Sequence, residues 1–218
     1  MSFDALAPHY RWMEFVLAGD KLQRCRTAFL DQIEPPRDVL ILGQGVGRFL
    51  VECRRQWPGA RITCLDSSSR MLTVARGRLR RAGLADERVT FLHADVLTWS
   101  APQAAADLIV THFFLDCFRP DQLEQIVPQL AHAARPAASW LLADFQVPAA
   151  GPLRWRACLM LKAMYAFFQR VTQLPANRLT APDDFIRRNG FKLRQRYESE
   201  WGLLRSDHWE KLESTTGG

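Results

Sequence analysis

Three glycines at every second position, Gly43, Gly45 and Gly47, separate an aliphatic run from an amphipathic segment in "DVLILGQGVGRFLVEC" (residues 38–53). Without a Cβ at these positions the chain can bend sharply and a ligand can approach its backbone. The unpaired N–H groups that open the following helix favour an anionic or polar group. Asp66 ends the next apolar run, about 20 residues on, where a carboxylate can accept both hydroxyls of a ribose. Asp95 ends the run after that, in "FLHADVLTW", placed to accept from an adenine amine. A dinucleotide, a nucleoside triphosphate and a nucleoside-like methyl donor all fit a glycine bend of this kind. The triphosphate loop would need Gly-Lys-Ser/Thr where Arg48-Phe49 stand, and the dinucleotide pattern would need glycine at Arg48. Asp66 suits a dinucleotide and a methyl donor equally, and Asp95 favours the methyl donor. Further on, "THFFLDCF" brings Thr111, His112, Asp116 and Cys117 together. His112 is a base whose ordinary pKa lies near neutrality, and Asp116 could orient it or hold a substrate amine.

Such residues need a scaffold that delivers several strand ends to one edge. "DVLIL", "RITCLD", "RVTFLHAD", "ADLIVTHFF" and "ASWLLADFQ" read as strands. They alternate with helical segments "VGRFLVECRRQW", "SSRMLTVARGRLRRAG" and "PDQLEQIVPQLAHAA". Helices of this length between strands imply crossover connections and a parallel sheet. The near-continuous apolar character of the strands fits a sheet covered on both faces. "FKLRQRYES" and "EWGLLRSDHWEKL" leave no room for a crossover helix, so they should pair antiparallel. Residues 2–33 read as helical, broken near Pro8 and Gly19, and Pro35-Pro36 ends them. The expected organisation is an N-terminal helical cap over 1–34 and one α/β domain over 35–213. Within it, 151–189 forms a helical lid or substrate-selecting insertion, and 214–218 is a disordered tail. Asp107 and Asp144, at the start of one strand and inside another, are expected to have structural hydrogen-bonding roles.

The 218-residue chain has room for one α/β domain with a full core. No stretch approaches the ~18 uninterrupted apolar residues of a transmembrane helix, and the N-terminus lacks a signal-peptide layout. The five cysteines (Cys25, Cys53, Cys64, Cys117 and Cys158) contain no CxxC pair. That pattern argues against structural zinc or a disulfide framework and points to a cytoplasmic protein. A net charge of +6 permits contact with nucleic acid or anionic lipid without demanding it. All of the 29 basic residues except Lys21, Lys162, Lys192 and Lys211 are arginine. The densest run, "ARGRLRRAG", falls late in a helix, where cations suit the helix dipole. It carries none of the interleaved aromatics of a single-strand nucleic-acid binder.

"LILGQGVGRF", "CLDSSSRML", "FLHADVLTW" and "ADLIVTHFFLDCF", in this order, make the chain resemble the class I S-adenosylmethionine-dependent methyltransferases over about residues 38–145. The opening "FDALAPHYRWMEFVLAG" looks like the ubiquinone/menaquinone C-methyltransferase-like branch. The resemblance implies a Rossmann-like seven-stranded, mostly parallel sheet with a C-terminal antiparallel hairpin, and S-adenosylmethionine as cofactor with S-adenosylhomocysteine as product. By the same resemblance the backbone from Gly43 through Gln44 and Gly45 to Gly47 would hold the methionine portion. Asp66 would take the ribose hydroxyls, with Ser67 and Met71 flanking the adenosine. Asp95 would face the adenine amine, with the Val96 backbone beside the ring. Thr111 and His112 would lie near the transferable methyl, and Tyr10 would close over the cofactor from the cap. Ile41 stands where the family often has an acid, and Arg11 replaces an acid often found after the tyrosine.

Methyl transfer is an in-line displacement that depends chiefly on alignment. A general base is needed only for a nucleophile that arrives protonated, and His112 and Asp116 are the candidates. The expected acceptor is a small apolar molecule, aromatic or lipid-like. Phe113, Phe114 and Phe118 would build its walls. The basic-apolar segment 152–174, with Trp155, Phe167 and Phe168 beside Arg154, Arg156, Lys162 and Arg170, would serve as a lid or as a peripheral membrane contact. Two other readings stand beside this one: a nucleic-acid methyltransferase and a non-catalytic cofactor-binding regulator. "THFFLD" lacks the Asn/Asp-Pro-Pro-aromatic motif of the amino methyltransferases of nucleic acids, so no specific nucleic-acid partner is expected.

Overall fold

The computed structural model describes residues 20–148, 155 and 179–212. Seven strands form one sheet: β1 (Asp38–Leu42), β2 (Arg61–Asp66), β3 (Val89–His93), β4 (Ala106–His112), β5 (Ala134–Phe145), β6 (Phe191–Ser199) and β7 (Leu204–Lys211). Their order is β3-β2-β1-β4-β5-β7-β6. The first five run parallel to one another, whereas β7 runs antiparallel to both β5 and β6. This is the mostly parallel sheet with a terminal antiparallel hairpin expected from the strand pattern.

Side chains alternate between the sheet's faces, and that alternation sorts the core into two layers. Leu40, Leu42, Ile109, Trp140 and Leu142 pack against Leu123, Ile126, Val127 and Leu130 of the helix α4 (Pro120–Ala133). Their neighbours Val39, Ile41, Leu108, Val110 and Leu141 face the other way. They meet Phe49, Leu50 and Cys53 of α2 (Arg48–Gln56) and Leu72, Ala75 and Leu79 of α3 (Ser69–Arg81). Ser68 caps α3 by accepting from the Met71 N–H at 3.1 Å. Two shorter helices, α1 (Asp20–Thr27) and α5 (Asp183–Arg188), complete the described elements apart from 3₁₀ turns.

Three strand and helix boundaries differ from the sequence pattern. "ADLIVTHFF" ends as a strand at His112, because Phe113 adopts φ +53° and turns the chain. The fifth strand begins at Ala134 rather than 138; Ala137 at φ +58° and a register shift opposite Ala106 and Leu108 absorb the extra residues as a bulge. The helical stretch expected to run from the break near Gly19 to residue 33 resolves into α1 and a 3₁₀ turn over Leu30–Gln32. The rest of the expected cap, including Tyr10 and Arg11, lies outside the described residues, as do residues 213–218. Of the lid expected over 151–189, residues 151–154 and 156–178 also lie outside the described residues; Trp155 is exposed, and α5 falls in the described end of that segment. No described helix is long and apolar enough to cross a membrane.

The arginine run late in α3 is locally occupied. Arg80 and Arg76 approach Asp86 at 3.1 and 3.9 Å, Arg78 Nε donates to the Val46 carbonyl at 2.8 Å, and Arg76 lies over the Phe91 ring. This agrees with a solvated helix face.

Candidate active site

In an open α/β sheet the ligand crevice lies outside the carboxyl ends of the strands where strand order reverses. Here that point falls between β1 and β4, which pair in parallel with Leu42 opposite Thr111. Gly43, Gly45 and Gly47 follow β1 with φ of +60°, +56° and +77°. Each therefore occupies the left-handed region that side chains disfavour. Gly47 is further constrained, since a Cβ there would come within 2.7 Å of the Ala75 Cβ on α3. At Gly43 a Cβ would meet the Phe114 ring. Backbone conformation and packing thus account for the glycines without a ligand. The side chain between them is different: both amide atoms of Gln44 are buried and have no hydrogen-bond partner among the described residues. A buried amide with neither group satisfied costs free energy in isolation.

Two acids stand on adjoining loops. Asp66 ends β2 in register with His93 at the end of β3, and Asp95 follows two residues later. The Asp66 carboxylate is nearly buried and accepts from the Ser68 N–H at 2.9 Å. His93 Nε2 lies 3.0 Å from the Ser67 carbonyl, tying the two loops together. Asp95 accepts from the Leu97 N–H at 3.0 Å, which fixes its side chain at the strand end. Met71 and Val96 are both buried, at the start of α3 and just after Asp95. The sheet therefore brings the glycine bend, Asp66, Ser67, Met71, Asp95 and Val96 to one end.

Beyond β4 the structure separates residues that the sequence placed together. His112 is buried on the α2 side, packed edge-to-face with Phe49 with centroids 4.5 Å apart, and neither ring nitrogen has a partner among the described residues. Burial, aided by the nearby Arg26 charge, holds its pKa well below the ordinary value. It is a neutral imidazole rather than a base poised near pH 7. Asp116 does not orient it. That carboxyl sits in the 3₁₀ turn Leu115–Cys117, where it accepts from the Cys117 thiol at 3.5 Å. Burial raises the Asp116 pKa to about 6. The buried Asp144 is pushed well above the usual carboxylate range by burial and by the Asp116 charge, against the pull of Arg205. Thr111 is fully buried, and its hydroxyl accepts from the Trp140 indole N–H at 2.8 Å.

Asp107 has the structural role expected of it, accepting from the backbone N–H groups of Arg37 and Asp38 at 2.9 Å and from Arg135 at 2.8 Å. Asp144 does not: neither of its oxygens receives a donor from a described group. Its sequence context, an acid within an apolar strand, gave no sign of this. Aromatic rings surround the ends of β4 and β5. Phe113 packs on Phe145 at 5.1 Å and Phe114 on Phe118 at 5.0 Å, and Arg26 lies over the Phe113 ring. No group of metal-binding side chains occurs among the described residues.

Residues 39–137 match the family model of a methyltransferase domain. Over 151 residues the chain is 27% identical to the demethylmenaquinone methyltransferase of Deinococcus radiodurans, covering 68% of this chain and 61% of that protein. Over 115 residues it is 36% identical to the trans-aconitate 2-methyltransferase of Mycolicibacterium gilvum, covering 52% of this chain and 38% of that one. The chain thus spans less than two thirds of the length of either relative. The mitomycin 7-O-methyltransferase MmcR superposes with a TM-score of 0.70 at 18% identity, covering 97% of this chain and 61% of MmcR. An S-adenosylmethionine-dependent methyltransferase from Methanosarcina mazei superposes at 0.62 and 16% identity, covering 86% of this chain and 98% of the other. In strand order and in its likeness to these solved structures the chain has the fold of a methyltransferase, and the matched domain runs from β1 to the start of β5.

Proposed function

We propose that the protein transfers a methyl group from S-adenosylmethionine to a small, apolar acceptor. The observation that carries this reading is the convergence of the unsatisfied Gln44 amide with Asp66 and Asp95 on adjoining loops. The residues fit the cofactor. The bend from Gly43 to Gly47 and the Gln44 amide would hold its amino-acid end, Asp66 its ribose hydroxyls and Asp95 its adenine amine. Ser67, Met71 and the Val96 backbone would flank the adenosine, and Tyr10 would close over it. When bound, the cofactor supplies an electrophilic methyl on a sulfonium.

The chain's own residues supply alignment and exclusion of water. Phe113 and Phe114 sit where β4 ends, and the non-glycine φ of +53° at Phe113 is the kind of strain that surrounding structure holds in place at functional sites. Aromatic faces near the mouth favour a cationic centre by about 0.5–2 kcal/mol. His112, neutral and lacking a partner, would accept or donate one hydrogen bond without adding charge. The small-molecule acceptor is supported by the names of the relatives, which act on demethylmenaquinone and trans-aconitate. Transfer of labelled methyl into host extract, separated into lipid, polar-metabolite, RNA and protein fractions, tests the reading. Label is expected in the lipid or small-molecule fraction, and incorporation into RNA or protein alone would refute it.

Thr111 is assigned a supporting part within this site, through Trp140 rather than the methyl. Thr111→Val leaves the buried indole N–H without an acceptor, a loss of about 1–3 kcal/mol. The expected result is a lower urea midpoint with unchanged S-adenosylmethionine affinity by calorimetry. A normal midpoint with weakened binding would return Thr111 to direct contact with the cofactor.

A further inference from the structure

Four arginines gather at the amino-terminal edge of the sheet, the end opposite the glycine bend. Arg37 leads into β1, Arg61 opens β2 and Arg88 precedes β3. These three line an open cleft of about 540 Å³, a volume within the range of small-molecule sites. Its apolar surface comes from Pro35, Pro36 and Pro58 around the buried Trp57 and Ala60. The fourth arginine lies beneath. Arg54 of α2 is 7% exposed, and its guanidinium donates to the carbonyls of Pro58 and Ala60, which line the cleft, and to that of Ala85 at 3.2 Å.

Those carbonyls satisfy the hydrogens of Arg54 without cancelling its charge, and a buried charge without a counter-ion is costly. Of the four guanidiniums, only that of Arg61 meets a carboxylate among the described residues. It bonds Asp38 at 2.6 and 2.8 Å, and Asp38 also takes Arg135 at 2.9 Å. Asp86, on the loop before β3, is engaged by Arg80 and Arg76. Arg37 and Arg88 are exposed, and no group among the described residues bonds either side chain. Glu34 and Glu87, the neighbours of Pro35 and Arg88 in sequence, do not line the cleft. A helix C-terminus favours one cation at the end of α2, but it does not call for three more around the same opening. A guanidinium fork matches phosphate oxygens in pairs. A phosphate monoester, with nearly two negative charges at pH 7, offsets more of this excess than a carboxylate does. The prolines and Trp57 offer contact to an apolar body attached to it.

We propose that this cleft is a second ligand site, which takes the phosphate group of a small phosphorylated molecule with an apolar body, on the edge of the sheet opposite the candidate active site. The assignment is independent of the methyl-donor reading. Phenyl phosphate is the probe, with inorganic phosphate and phenol as its two halves. Calorimetry on the whole chain at low salt, where screening is weakest, is paired with backbone amide shifts of the isotopically labelled protein. Phenyl phosphate is expected to bind saturably, moving the amides of Gly59, Ala60 and Arg61 and leaving those of Gly43, Gly45 and Gly47 unchanged. Inorganic phosphate is expected to bind roughly tenfold more weakly, having no apolar surface to bury, and phenol to leave the cleft amides unmoved.

Arg37→Gln and Arg88→Gln are each expected to weaken phenyl phosphate binding roughly tenfold, the effect of losing one hydrogen bond to a charged group. Both positions are exposed, so these variants should fold as wild type does. Arg119→Gln, at the exposed start of α4, serves as the control and should bind like wild type. The proposal is overturned by no saturable binding, by shifts at the glycine bend instead of the cleft, by inorganic phosphate binding as tightly as phenyl phosphate, or by undiminished affinity in both arginine variants. Saturation by a short single-stranded oligonucleotide or an acidic peptide, but not by phenyl phosphate, would overturn it as well and give the cleft to a macromolecular partner.

Discussion

Asp66→Ala is expected to weaken S-adenosylmethionine binding by roughly 10²–10³-fold. The carboxylate would accept from two ribose hydroxyls, and hydrogen bonds to a charged group contribute about 1.5–3 kcal/mol each. Truncation also leaves those hydroxyls desolvated against a buried strand end. Asp66 has a second duty, accepting from the Ser68 N–H where α3 begins, so alanine costs some stability as well. Asp66→Asn separates the two. Its amide oxygen can still accept from Ser68, preserving the turn, but the charge is gone and one position becomes a donor. Asparagine should therefore fold like wild type and bind the cofactor roughly tenfold more weakly. Calorimetry on variants matched for folding by circular dichroism checks both expectations. A folded Asp66→Ala protein with undiminished affinity would remove Asp66 from the cofactor site, and with it the main support for a nucleoside ligand.

The placement of the residues proposed to hold the cofactor was legible because they lie just past strand ends. Apolar runs such as "VLIL" and "ITCL" announce strands, and the residues after them must arrive at the carboxyl edge of a parallel sheet. Asp66 and Asp95 come together because β2 and β3 are neighbours in register, which the alternation of strands and helices already implied. Even the isoleucine that replaces an expected acid has a physical account. Ile41 is buried on the face packed by α2 and α3, where an unpaired carboxylate would be costly.

The surroundings of the β4 and β5 ends were not legible, because they depend on one backbone angle and on contacts across strands. His112 and Asp116 stand four apart, a spacing that invites pairing. The left-handed turn at Phe113 instead sends them to different surroundings, His112 against Phe49 and Asp116 into the 3₁₀ turn beside the Cys117 thiol. Asp144 reads as one more acid in an apolar strand until β7 is placed beside β5. Its opposite number in that ladder is Arg205, whose guanidinium is engaged elsewhere. No local pattern encodes an arginine already occupied by a helix 22 residues away in sequence.

That occupied arginine carries the second large effect. Arg205→Met is expected to destabilise the fold by about 3–5 kcal/mol, the cost of removing one partner from a buried ion pair. Arg205 is 4% exposed and bonds Asp183 at 2.7 Å, while Arg196 bridges the same Asp183 at 2.6 Å and grips the fully buried Asp207 at 2.7 and 2.8 Å. Methionine fills the space but leaves the acids one cation short. Arg196, more exposed and free to relax into water, should cost less when replaced. The deficit should depend on pH in a definite direction. Burial alone would raise Asp183, but Arg205 and Arg196 hold it below its ordinary value. Its pairing therefore stabilises the fold above about pH 4 and loses that contribution as pH falls through the depressed pKa. Asp144 is raised, so it already disfavours folding as pH climbs from about 4, and losing Arg205 raises it further. Both effects make the Arg205→Met deficit large at pH 7 and smaller at pH 4, as urea unfolding at the two pH values would measure. A deficit independent of pH would mean that the arginine acts through packing alone, and that the hairpin exerts no electrostatic control over the acids at the end of β5.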